Sequence, residues 1–120
     1  MGKSIIREKS YKFALNIIEL YKLLCKKNEY VISKQILRSG TSIGANIEEA
    51  LAGQSRADFL SKMSIASKEA RETKYWLRLI NDSEIASKDY VEPLLTDSEE
   101  LICILTSIVK TTSTKNSYEL

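Results

Sequence analysis

The 120-residue chain has no histidine, one proline, four glycines and two cysteines. Each scarcity excludes something. Without histidine the commonest general base and the most versatile transition-metal ligand are both missing. Cys25 and Cys103 stand far apart and form no CxxC pair, so there is no zinc-ligand spacing, and two reduced, buried thiols are expected. So little proline and glycine argues against a turn-dense all-β fold and predicts long uninterrupted helices. No apolar run is long enough for a signal peptide or a membrane span, which makes the cytoplasm the expected compartment. No GxxxxGK[ST] phosphate loop occurs, and Ser42 has no histidine to activate it. The adjacent Glu48 and Glu49 must face different ways on a helix and cannot act as a carboxylate pair. The expectation is a non-enzyme with no metal and no cofactor.

What is present suits one globular domain: 43% hydrophobic and 28% charged residues. The net charge of +2 is too small to announce a nucleic-acid binder. Its distribution says more. Residues 3–30 carry seven Lys/Arg against three acids, 54–83 six against four, and 84–110 two against six. The first and third segments are therefore basic and the fourth acidic.

Helical periodicity divides the chain into four segments, at about 4–27, 31–52, 55–81 and 88–110. The first carries Ile6, Phe13, Ile17, Leu20 and Leu24 on one face. The second carries Ile32, Ile36, Ser39, Ile43, Asn46, Ile47 and Ala50, with Gly40 and Gly44 one turn apart. A glycine costs a helix about 1 kcal/mol, so this pair predicts a close approach by another helix or a bend, and Gly53 a natural stop. The third is the most regular: Phe59, Met63, Ala66, Ala70, Thr73, Leu77 and Ile80 form a heptad-like stripe. Ser87 is a candidate N-cap for the fourth, and Pro93 then lies too deep for the first turn, predicting either a kink or a later start. Residues 111–120, rich in Thr and Ser, read as a flexible tail. Short connections between four amphipathic helices predict an all-α, antiparallel up-down-up-down bundle.

Around the third stripe, Arg56, Arg71, Lys74 and Arg78 fall on one flank. Asp58, Glu69 and Glu72 fall on the other, near Ile65, Trp76 and Leu79. That second apolar patch either covers a seam within the bundle or forms a subunit interface through Ile65, Glu69, Glu72, Trp76 and Leu79. Asn46, within an apolar stripe, needs hydrogen-bond partners if buried and suits a register-fixing role.

Residues 35–50, QILRSGTSIGANIEEA, resemble the hallmark Q-[IL]-x-R-[SA]-x-x-S-I-P-x-N-I-A-E-G of the four helix bundle protein family, also called 23S ribosomal RNA intervening-sequence proteins. Ser42, Ile43, Asn46, Ile47 and Glu49 are the matching motif positions. Residues 58–66, 68–72 and 76–77 are similar to its third-helix pattern. Gly44, Glu48 and Ala50 depart from it, replacing a proline, an alanine and a glycine. The resemblance implies a left-handed bundle that assembles into pentameric rings and has no known activity in most members. A relative, the accessory variability protein of diversity-generating retroelements, binds a reverse transcriptase and helps copy template RNA. On that pattern RNA or DNA would meet Lys22, Lys26, Lys27, Arg38, Arg56, Arg71, Lys74 and Arg78. The other reading spends those cations on neighbouring subunits, leaving a structural homo-oligomer or protein-interaction module.

Overall fold

Four helices make up the molecule: α1 (Gly2–Lys26), α2 (Ile32–Leu51), α3 (Arg56–Asp82) and α4 (Lys88–Glu119). The computed structural model describes the backbone of residues 2–119 and the side chains of residues 5–114. Among these there is no strand. Each helix packs on its successor, α4 returns to α1 through a thinner seam, and among the described residues the backbones of the diagonal pairs stay farther apart. Across the α1–α2 and α2–α3 seams, partner numbers rise along one helix as they fall along the other. Arg7 reaches Glu48 while Ile17 lies against Gly40; Arg38 reaches Glu72 while Glu49 reaches Lys62. The result is a rod of 53 × 23 × 21 Å.

The apolar stripes become its core. Phe13, Ile17, Leu20 and Leu24 of α1 meet Ile36, Ile43 and Ile47 of α2, with Met63, Leu77 and Ile80 of α3 and Leu101 and Leu105 of α4. Each such side chain contributes about 1.5–3 kcal/mol on burial. Ala66 and Ala70 in α3 keep its centre slim. The two helical glycines differ. A methyl at Gly40 would stand 2.8 Å from Ile17 Cγ2, so α1 packs there only because no side chain intervenes. At Gly44 the nearest atom, Ser10 Oγ, is 3.4 Å away, ordinary contact distance.

Helix ends account for several departures from the sequence expectations. Asn28 and Glu84 take left-handed backbone, with φ of 64° and 60°. At each, the following amide bonds back across the last turn, Glu29 N–H to the Leu24 carbonyl and Ile85 N–H to that of Ile80. Glu29 then turns its carboxylate onto the amides of Val31, Ile32 and Ser33, capping α2 from outside it. Gly53 does not act as a left-handed stop, because α2 ends in right-handed backbone at Ala52 and no glycine has positive φ. α4 starts at Lys88 with Pro93 inside it, so the later start is not taken; the Ser87 carbonyl accepts from the Tyr90 and Val91 amides. It also runs past Lys110 to Glu119. The Thr112 and Thr114 hydroxyls bond back to the carbonyls of Ile108 and Lys110, which lets hydroxyl residues sit in a helix. Leu120 and the side chains of 115–120 lie outside the described residues. Cys25 is half-buried and Cys103 exposed, correcting the expected burial of both: Cys103 falls on the outer face of α4.

Candidate functional site

The heptad offset that puts Thr73 and Ala70 in the core swings Glu69, Glu72 and Trp76 onto the flank of α3 facing α2. The motif segment of α2 presents Arg38, Ser42, Asn46 and Glu49 to the same seam. There the Arg38 guanidinium spans both acids, with Nη1 2.8 Å from Glu69 Oε2 and Nη2 on Glu72 Oε2. Glu69 Oε2 also accepts from the Ser42 hydroxyl at 2.6 Å, and Glu72 Oε2 from the Trp76 indole N–H at 3.0 Å. Beneath them the buried hydroxyls of Thr73 and Ser39 lie 2.9 Å apart, and Thr73 is 2.8 Å from the Glu69 carbonyl. One Thr73 proton cannot serve both, so Ser39 must supply the other. Asn46 donates to the Ser42 carbonyl at 2.9 Å and is half-buried, while Ile43 and Ile47 are core. Glu49 pairs with Lys62 at 2.9 Å and Glu48 with Arg7 at 2.7 Å, the two different faces expected of neighbours.

The electrostatics of this cluster are those of a closed lock. The Trp76 N–H and then Arg38 hold the Glu72 carboxyl below its ordinary range. Its two acids hold the Arg38 guanidinium above its own. Trp76 is half-buried against the core and Tyr75 meets it edge-on, ring centroids 5.2 Å apart. Trp76 therefore covers the seam within the bundle, while Ile65 and Leu79 stay 40% and 37% exposed on the outer side.

The basic residues named from the sequence meet several fates. Arg38 is consumed by the lock. Lys22 stands 3.8 Å from Glu19, Lys74 3.3 Å from Glu99, and Lys27 donates to the Ile85 carbonyl at 2.9 Å. Arg56 is partnered too. Arg71 has, among the described residues, only a hydroxyl partner, donating to Thr106 Oγ1 at 3.0 Å. Lys26 and Arg78 are exposed with no hydrogen-bond or ion-pair partner among the described residues. The structure thus brings together Arg71, Lys74 and Arg78 on the α4 side of α3 and separates Arg38 from them. The sequence reading missed the hydroxyls that α4 adds beside Arg71. Thr106 lay inside the expected fourth helix with nothing to say what it faced, and Ser113 and Thr114 lay in the segment expected as a tail.

Near the end of α1, Tyr21 and Cys25 border a shallow hollow with Tyr90, and the contact to Cys25 raises the Tyr21 hydroxyl above its ordinary range. Among the described residues, no three His, Cys, Asp or Glu side chains cluster as metal ligands, and no helix is long and apolar enough to cross a membrane.

Fold and face together define a small all-α four-helix bundle with an ionic lock across one seam. Residues 2–107 match the family of 23S rRNA-intervening sequence proteins, and the chain belongs to that family. A similar solved structure is a protein of unknown function from the S23 ribosomal protein family of Bacteroides thetaiotaomicron VPI-5482. It is 50% identical, with a TM-score of 0.88 over 92% of this chain and 99% of that one. No curated protein matches.

Proposed function

We propose that the chain is a non-enzymatic scaffold of the cytoplasm: an antiparallel up-down-up-down bundle that associates with copies of itself, as a pentameric ring, and carries nucleic acid. The reversed partner numbering across the α1–α2 and α2–α3 seams supports the helix order. The observation that carries the nucleic-acid half is the contrast in partners around α3. Glu69 and Glu72 are neutralised inside the chain by Arg38, while Arg71 and Arg78 on the other flank face no carboxylate among the described residues. Cations left without counter-charge beside each other suit a phosphate backbone. A reverse transcriptase is the protein partner suggested by the family relative that binds one. The exposed Ile65 and Leu79 beside half-buried Trp76 supply the apolar part of a self-contact.

A second reading, an interaction module with no nucleic-acid role, is favoured by how many cations are spent within the chain, Arg38, Lys22 and Lys74 among them. Light-scattering mass at about 50 mM and about 500 mM salt, with and without a structured RNA, separates the two, because phosphate contacts fade with salt while apolar interfaces do not. A ring that gains mass with RNA only at low salt supports the scaffold. A ring indifferent to RNA leaves the interaction module, and a monomer removes the assembly.

A further inference from the structure

Beyond the Lys74–Glu99 ion pair, the seam between α3 and α4 opens into a cleft of about 380 Å³. Arg71 and Lys110 bring cations to it, Ser67 and Thr106 bring hydroxyls, and Val109 contributes an apolar wall. Among the described residues, no acidic side chain lines it. The nearest acid named on this seam, Glu99, is held by Lys74 at 3.3 Å. Two like charges sharing a concave surface repel, and an anion placed between them removes that repulsion.

The hydrogen bonding also leaves donors facing outward. Arg71 Nη2 donates to Thr106 Oγ1 at 3.0 Å, which fixes one edge of the guanidinium. Thr106 acts there as acceptor, so its own proton is available to a ligand. Arg71 keeps its remaining N–H groups, and Lys110 has three donors and no ion pair among the described residues. A planar fork, an ammonium and hydroxyls converging on one space match an oxyanion with several acceptor oxygens. We propose that the α3–α4 cleft is a phosphate-binding site, with Arg71 and Lys110 holding the charge and Thr106 and Ser67 the oxygens. The proposal rests on the nucleic-acid reading only where the phosphate belongs to a polynucleotide; free phosphate or a phosphorylated small molecule presents the same chemistry.

The test uses the full-length chain, isotope-labelled, with backbone amides followed by NMR during titration with inorganic phosphate and separately with a short single-stranded RNA. Thr106→Val keeps side-chain volume at an exposed position and removes the hydroxyl; Arg71→Lys keeps charge and removes the fork; Lys34→Ala, at an exposed position of α2, is the control outside the cleft. Trp76 fluorescence reports that each variant is folded. The expected result is saturable shifts at Ser67, Thr106, Val109 and Lys110 with both ligands. Thr106→Val and Arg71→Lys should each weaken phosphate binding about tenfold, the size of one lost charge-assisted hydrogen bond, with Lys34→Ala unchanged. If phosphate titrates the cleft and RNA does not bind, the site stands and the nucleic-acid reading falls. If RNA binds, but equally to wild type, Thr106→Val and Arg71→Lys, the site is overturned and the scaffold reading survives. Shifts spread over every lysine and arginine, or none at the cleft with either ligand, also overturn it.

Discussion

On the side of α3 that meets α2, Glu69 and Glu72 hold Arg38, Ser42 and Trp76, over a buried Thr73–Ser39 hydroxyl pair. On the side that meets α4, Arg71 has among the described residues only the Thr106 hydroxyl, and the ion pair Lys74–Glu99 is partly exposed. Both seams bury apolar stripes and both are edged with polar groups. The first is closed by groups of opposite charge from the same chain, and the second leaves cations open. A polar seam that satisfies itself specifies helix register, whereas one left unsatisfied by its own chain is available to something else.

The largest effect that could break this comparison is Thr73→Val. It preserves shape but removes the partner of the buried Ser39 hydroxyl, and should lower unfolding stability by about 2 kcal/mol in urea titrations. A neutral outcome would mean that the α2–α3 seam is no more specified than its neighbour. Next come two double-mutant cycles. Arg38 with Glu72 should couple by about 1 kcal/mol because the guanidinium bridges two acids, and Lys74 with Glu99 by about 0.3 kcal/mol as an exposed single pair. Equal couplings would erase the difference between the flanks.

Smaller still is the acid limb of the stability curve. The Glu72 carboxyl is held below its ordinary range by Trp76 and Arg38. A carboxyl depressed in the folded state adds stability above its unfolded pKa and gives it up as pH falls through the folded one, here below the ordinary glutamate range. Glu72→Gln should flatten that limb in thermal melts taken across acid pH; a limb of unchanged steepness assigns it to other carboxyls. The smallest effect concerns the open flank. Arg71→Ala and Arg78→Ala should change stability by less than about 0.5 kcal/mol, yet each should reduce the salt slope of RNA binding by about 1. A large stability loss would show that Arg71 is spent inside the fold after all.

Much of this was legible in the residues. The stripe from Met63 to Ile80 set the inward face of α3, so Glu69 and Trp76 could be placed on one flank and Arg71 and Arg78 on the other from angles alone. What the angles could not reveal was the identity of each partner. Arg38 read as a phosphate contact, because the sequence does not say that α2 packs at the height where its guanidinium reaches Glu69 and Glu72. Glu29 escaped notice as a cap, since glutamate is an uncommon choice and its role needs the left-handed turn at Asn28. The far end of the cleft beside Arg71, lined by Ser113 and Thr114, depended on α4 continuing past Lys110, where the Thr112 and Thr114 hydroxyls bond to their own helix rather than fray it.

The sequence by itself determined four helices, their inward faces and the absence of histidine-based chemistry, because hydrophobic period and composition are local properties of the chain. Only the tertiary structure decided which glycine is required, Gly40 against Ile17 rather than Gly44 against Ser10, and which charges neutralise one another. Both depend on the axial offset between neighbouring helices. That offset is set by how side chains from distant segments interdigitate, and no single helix encodes it alone.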